Sequence, residues 1–100
     1  MTRVPHPGEH LRSIVAGMSQ TQDEIAQAMD VSRHTLNVIL NEHRGVTPPM
    51  ALRFERVLGI DPVDLLRRQG EYDIAVVQRR KGVEIARLKP LATLKHSGDA

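Results

Sequence analysis

The stretch TQDEIAQAMDVSRHTLNVIL, residues 21 to 40, decides the fold. Thr21 followed three residues later by Glu24 is a capping box, in which hydroxyl and carboxylate each satisfy a backbone N–H at a helix start. Ile25, Ala26 and Met29 give the helix that follows its buried side. Ser32 can cap a second helix whose Leu36, Ile39 and Leu40 fall on one face. Only Asp30 and Val31 separate Met29 from Ser32, and so short a junction forces two helices of about eight residues to cross steeply. Helix-turn-helix units are built this way.

Outward from this pair the chain continues to read as helix. Ahead of it, Leu11, Ile14, Val15 and Met18 repeat at the spacing of one helical face, so a helix begins near Gly8 and stops near Gly17 to Ser19. Met1 to Pro7, with two prolines and no period, reads as an arm. After the pair, Asn41 to Val46 is a turn. Thr47 then Pro48 is a helix entry, a capping residue followed by one that needs no N–H. Met50, Ala51, Phe54, Val57 and Leu58 bury one side of that fourth helix, Leu52 projects away from them, and Gly59 ends it. Asp61 and Pro62 repeat the entry device, with Asp64 adding charge near the positive end of the helix dipole. The fifth helix is expected to run to about Lys81, with Leu65, Gln69, Tyr72 and Val76 as its packing stripe and Gly70 as a weak point. Val83 to Leu88 reads as a further short helix before Pro90, and Lys95 to Ala100 as a frayed end. The expectation is an all-α, five-helix repressor-like fold with an added C-terminal helix: arm 1–7, domain 8–81, C-terminal segment 82–100.

Composition narrows the function. One hundred residues favour a single domain. No run approaches the 18 or so apolar residues of a membrane span, and the Met1 end lacks a secretory h-region, so a cytoplasmic protein without membrane contact is expected. With no cysteine there is no disulfide, thiol catalysis or Cys-type zinc site. The formal charge is only +2, and residues 1 to 60 hold six Arg against six acids. The surplus lies in the tail, where Arg79, Arg80 and Lys81 stand in a row, an arrangement that suits a solvated helix end near the negative dipole terminus. His6 and His10 are four residues apart but lack a third ligand, so their reading is structural rather than metal-binding. Asp23 and Glu24 belong to the cap region, and no nucleophile, phosphate loop or ligand triad accompanies them, so no enzyme, cofactor or small-molecule ligand is expected.

In a helix-turn-helix the second helix enters the major groove N-terminal end first. With Leu36, Ile39 and Leu40 inward, Arg33, His34, Asn37, Val38 and Asn41 face out. Arg suits guanine, Asn suits adenine and Val38 a thymine methyl, so Arg33, His34, Asn37 and Val38 are the candidate base readers. Gln22, Thr35, Asn41, His43 and Arg44 are candidates for the DNA backbone. On pattern alone these residues are equally the solvated face of a small helix.

The stretch quoted above resembles the repressor-type helix-turn-helix of the XRE and Cro family. Four blocks together look like the HigA antitoxin family: HPGEHL (His6 to Leu11), the helix pair, RGVTPPMALRFERVLG (Arg44 to Gly59) and QGEYD (Gln69 to Asp73). They cover roughly residues 6 to 90. The resemblance implies a five-helix, usually homodimeric protein that binds operator DNA in its own promoter and neutralises a HigB-type toxin, a ribosome-dependent mRNA interferase. A stand-alone XRE-type repressor without a toxin partner is the alternative. The chain departs from the family at Asp64, Leu65 and Leu66, where members commonly carry an aromatic residue, and its tail after Lys81 matches weakly.

Overall fold

Capping chemistry sets where the helices start. The computed structural model describes residues 3–91. Its elements are α1 (Pro7–Ala16), α2 (Gln22–Ala28), α3 (Arg33–Leu40), α4 (Pro48–Leu58) and α5 (Pro62–Ala86), with no strand among the described residues. The all-α, five-helix expectation holds. The capping box forms as read: Thr21 Oγ1 accepts from the Glu24 N–H at 3.1 Å, and Glu24 Oε1 accepts from the Thr21 N–H at 2.8 Å. Ser32 Oγ accepts from the Thr35 N–H at 3.0 Å, and Asp61 Oδ1 from the Val63 N–H at 2.9 Å. Gly59 closes α4 in the left-handed region at φ 72°.

Two expectations need correction. Thr47 occupies the cap position of α4 in extended conformation, but its side chain makes no capping hydrogen bond. A cap bonds the N–H of the second or third helical residue, and Pro49 at the second position has none. The separate helix over Val83 to Leu88 is not formed. Instead α5 runs through Gly70 and Gly82 to Ala86, with Arg87 as its C-cap. A glycine costs about 1 kcal/mol relative to alanine in a helix, and the good helix formers Arg79, Arg80 and Lys81 lead into Gly82 with no capping side chain or proline to restart the chain. The end read as frayed, Lys95 to Ala100, lies outside the described residues.

The core is aliphatic around one aromatic. Leu11, Leu36, Ile39, Ala51, Phe54 and Leu65 are fully buried, and Ile25, Ala26, Met29, Leu40 and Val46 nearly so. They join α1 to α3 and α5, α2 to α3, and α4 to α5. No aromatic residue stands at positions 64 to 66, where the resemblance leads one to be expected. Leu65 enters the core and Leu66 packs against it, while Asp64 pairs with Arg67 and Arg68 on the surface. Hydrogen bonds from Arg68 and then Arg67 hold the Asp64 carboxyl below its ordinary range.

The HPG block has a local explanation. His6 caps α1, its Nδ1 accepting from the Gly8 N–H at 2.8 Å, and Pro7 takes the first helical position, one residue earlier than the periodicity indicated. Gly8 lies against the end of α3. A Cβ there would sit 2.3 Å from the Ile39 carbonyl oxygen and 3.1 Å from that of Leu40. His6 is buried and meets Tyr72 of α5 edge to face, with centroids 4.9 Å apart and planes at 77°. Burial lowers its pKa below the ordinary 6.5; the Glu42 and Asp73 carboxylates oppose this and Arg12 adds to it.

These contacts generate three predictions. Gly8→Ala should destabilise the fold by about 1–3 kcal/mol in urea unfolding, because backbone cannot yield as a flexible side chain can. Gly70→Ala, with no atom within 4 Å of the added methyl, should instead stabilise by about 0.5–1 kcal/mol. Because folded His6 binds its proton less readily than the unfolded residue, the stability it contributes is present above pH 6.5 and is lost as pH falls from there through its lowered value. Wild type should therefore lose more stability than His6→Asn, which keeps a capping side chain, between about pH 7.5 and 5.5. Equal losses would contradict the assignment.

Candidate nucleic-acid interface

α3 is held from beneath and from its C-terminal end. Leu36, Ile39 and Leu40 bury its inner face, as read from the sequence. The Arg12 guanidinium donates to the Leu40 carbonyl and, at 3.0 Å, to Glu42 Oε2, fastening α1 to the last turn of α3. Beyond it the chain reverses through Glu42 at φ 68°, and the His43 N–H donates to the Val38 carbonyl at 2.8 Å. A second brace comes from α5: Gln69 Oε1 accepts from the buried Val46 N–H at 2.7 Å.

The turn that sets the angle between α2 and α3 is braced from α4. Asp30 takes the left-handed conformation at φ 57°, and the Val31 N–H returns to the Ala26 carbonyl at 3.0 Å. Arg53 donates to the Met29 carbonyl at 2.6 Å and to that of Asp30 at 3.3 Å. Carbonyls at a helix end lack intrahelical partners, so this guanidinium fills the place of a C-cap.

The outward side of α3 carries the residues singled out above. Arg33 and His34 are exposed at its first turn, Asn37 and Val38 are half-exposed, and Asn41 is exposed at its end. Asn41 Nδ2 donates to Asn37 Oδ1 at 3.0 Å, so Asn37 keeps its NH2 group and a second lone pair on Oδ1 for a further partner. Thr35 is half-buried, its Oγ1 accepting from the Ser32 hydroxyl at 2.9 Å with its own O–H still free to donate. His43 and Arg44 are exposed in the turn after α3. Gln22, the remaining candidate for the DNA backbone, is less open than His43 and Arg44. It is half-buried, with Oε1 turned inward and no hydrogen-bond partner among the described residues.

Sequence reasoning missed Asp23, which receives Arg33 Nη1 on Oδ2 at 3.2 Å across the helix pair. It also missed Arg12, Arg53 and Gln69 as braces, since their partners lie 23 to 30 residues away. His6 is engaged as a helix cap, and the described residues contain no group of three potential metal ligands. No helix of the described residues is long and apolar enough to cross a membrane.

Two short capped helices joined by a braced turn, the second exposed along one polar face, define a helix-turn-helix protein. The helix-turn-helix family model matches residues 16–65. Virulence-associated protein A' of Dichelobacter nodosus is 30% identical over 99 residues, which is 98% of this chain and 86% of that protein. Among solved structures, antitoxin GraA is 33% identical with a TM-score of 0.84, over 91% of this chain and 100% of that one. GraA in complex with its operator is 33% identical with a TM-score of 0.83, over 92% and 95%. Pseudomonas aeruginosa antitoxin HigA with the higBA promoter is 32% identical with a TM-score of 0.83, over 90% and 100%. The chain belongs to the helix-turn-helix family, XRE type, and is similar across most of its length to HigA and GraA antitoxins.

Proposed function

We propose that this protein is a cytoplasmic antitoxin and transcriptional autorepressor: it binds operator DNA of its own promoter as a homodimer and neutralises a HigB-like mRNA interferase. The observation that carries the reading is the exposed polar edge of α3 in a chain whose similar structures include GraA with its operator and HigA with its promoter. Arg33, His34, Asn37 and Val38 read bases; Gln22, Thr35, Asn41, His43 and Arg44 hold the sugar-phosphate backbone. Dimerisation is assigned to the far half of α5. Stepping 100° per residue, Ile74, Val77 and Ile85 fall on one stripe, and all three are exposed in the isolated chain. A dimer covers that stripe and places two α3 helices at half-sites about one helical turn apart.

A mobility-shift titration of the protein's own upstream DNA against random duplex tests the reading. Tighter binding to the upstream fragment is expected, and equal affinity at moderate salt contradicts specific repression. Arg33→Ala should cost about 1–3 kcal/mol and relax specificity at one base pair, whereas a uniform loss over all sequences would make Arg33 a phosphate contact. With the helix-turn-helix half neutral by count, the log-log salt slope should be no steeper than about −3 per monomer. The toxin role is checked separately, by co-purification with the product of an adjacent toxin-like reading frame.

A further inference from the structure

We propose that Asp23 is a specificity-setting residue: its carboxylate holds Arg33 in the orientation that reads a base, and so trades overall DNA affinity for discrimination. The inference rests on the reading of Arg33 as a base contact. Asp23 sits in the first turn of α2, but it takes no part in that helix's cap, which Thr21 and Glu24 complete between them. Among the described residues its one ion pair is with Arg33, Oδ2 to Nη1 at 3.2 Å, and both side chains are exposed, at 69% and 56%. The pair is thus free of the packing of the fold.

Arg12 and Arg53 are occupied with main-chain carbonyls of the scaffold. Arg33 makes no such main-chain contact among the described residues, and its partner is a surface carboxylate on the other helix of the pair. An arginine presents five N–H donors in a planar fork, and the contact to Asp23 engages only Nη1. The remaining donors can face the O6 and N7 acceptors of guanine while the carboxylate fixes the plane of the guanidinium. A long unrestrained arginine would sample many rotamers and meet phosphates as readily as bases.

The same carboxylate has a cost for binding. The first turn of the helix ahead of the reading helix lies toward the DNA backbone in this motif, and a negative charge there repels phosphate at every sequence. The two effects carry opposite signs. Removing Asp23 should strengthen binding to random duplex and weaken discrimination at the base pair that Arg33 reads, a combination that loss of folding does not produce.

The test compares wild type, Asp23→Ala, Arg33→Ala and the double variant on the upstream operator duplex, on the same duplex with each base pair replaced in turn, and on random duplex. Thermal melts accompany each variant. For Asp23→Ala the expected result is discrimination reduced by about two- to fivefold at the Arg33 base pair, the size of effect exposed ion pairs have. Discrimination elsewhere should be unchanged and binding to random duplex tighter. In the Arg33→Ala background, Asp23→Ala should change no base preference. If Arg33→Ala relaxes one base pair and Asp23→Ala leaves that pair's discrimination intact, the proposal is overturned while the reading of Arg33 stands. If Arg33→Ala weakens all sequences equally, the reading itself fails and takes the proposal with it.

Discussion

The approach of Gly8 to the Ile39 carbonyl is the contact on which the rest of the arrangement depends. It brings the first turn of α1 within van der Waals reach of the end of α3, a spacing that no residue with a Cβ could keep. The groups around it act on the same junction. His6 caps α1 and leans on Tyr72 of α5, while Arg12, one turn further along α1, takes the Leu40 carbonyl and Glu42. α3 is therefore anchored at its C-terminal end, and its N-terminal end is left toward solvent. That polarity suits a helix whose first residues enter a groove.

Most of the helix capping was legible in the sequence, with Thr47 and His6 as exceptions, and long-range chemistry was not. The capping box, the Ser32 and Asp61 caps and the Gly59 terminus each involve residues within four positions of one another, and each forms as read. The inward trio Leu36, Ile39 and Leu40 followed from periodicity alone. The break expected between Lys81 and Val83 does not form because a glycine there, Gly82, marks a helix end only when the surrounding chain agrees, and the flanking residues carry α5 through it. Gln69 was visible as part of a stripe, but periodicity assigns a face and cannot say that an amide would accept from Val46 across the domain. Arg12 and Arg53 carried no local signal at all. An arginine that braces a turn and one that is merely solvated look the same in a single sequence.

The site shows the same division. Which residues of α3 face outward was readable, since helical geometry fixes it once the buried face is known. How those residues engage one another was not readable: Asn41 donates to Asn37, Arg33 pairs with Asp23, and Gln22 turns its carbonyl inward. The near-neutral charge of this half of the chain acquires a meaning from these placements. Arginines are spent on holding the helix pair in shape, which leaves few for unspecific attraction to phosphate. Under the proposed function, recognition comes from a small number of positioned donors and acceptors rather than from a basic surface.

The central claim is that DNA is met by the exposed edge of α3 and the adjoining turns, on a scaffold that α1, α4 and α5 hold rigid. An NMR titration of the labelled protein with its upstream operator duplex tests this most directly. Amide shifts should concentrate at Gln22, at Ser32 to Val38 and at Asn41 to Arg44, with α4 and the first half of α5 nearly unmoved. Shifts centred on α4 or α5 would contradict the account.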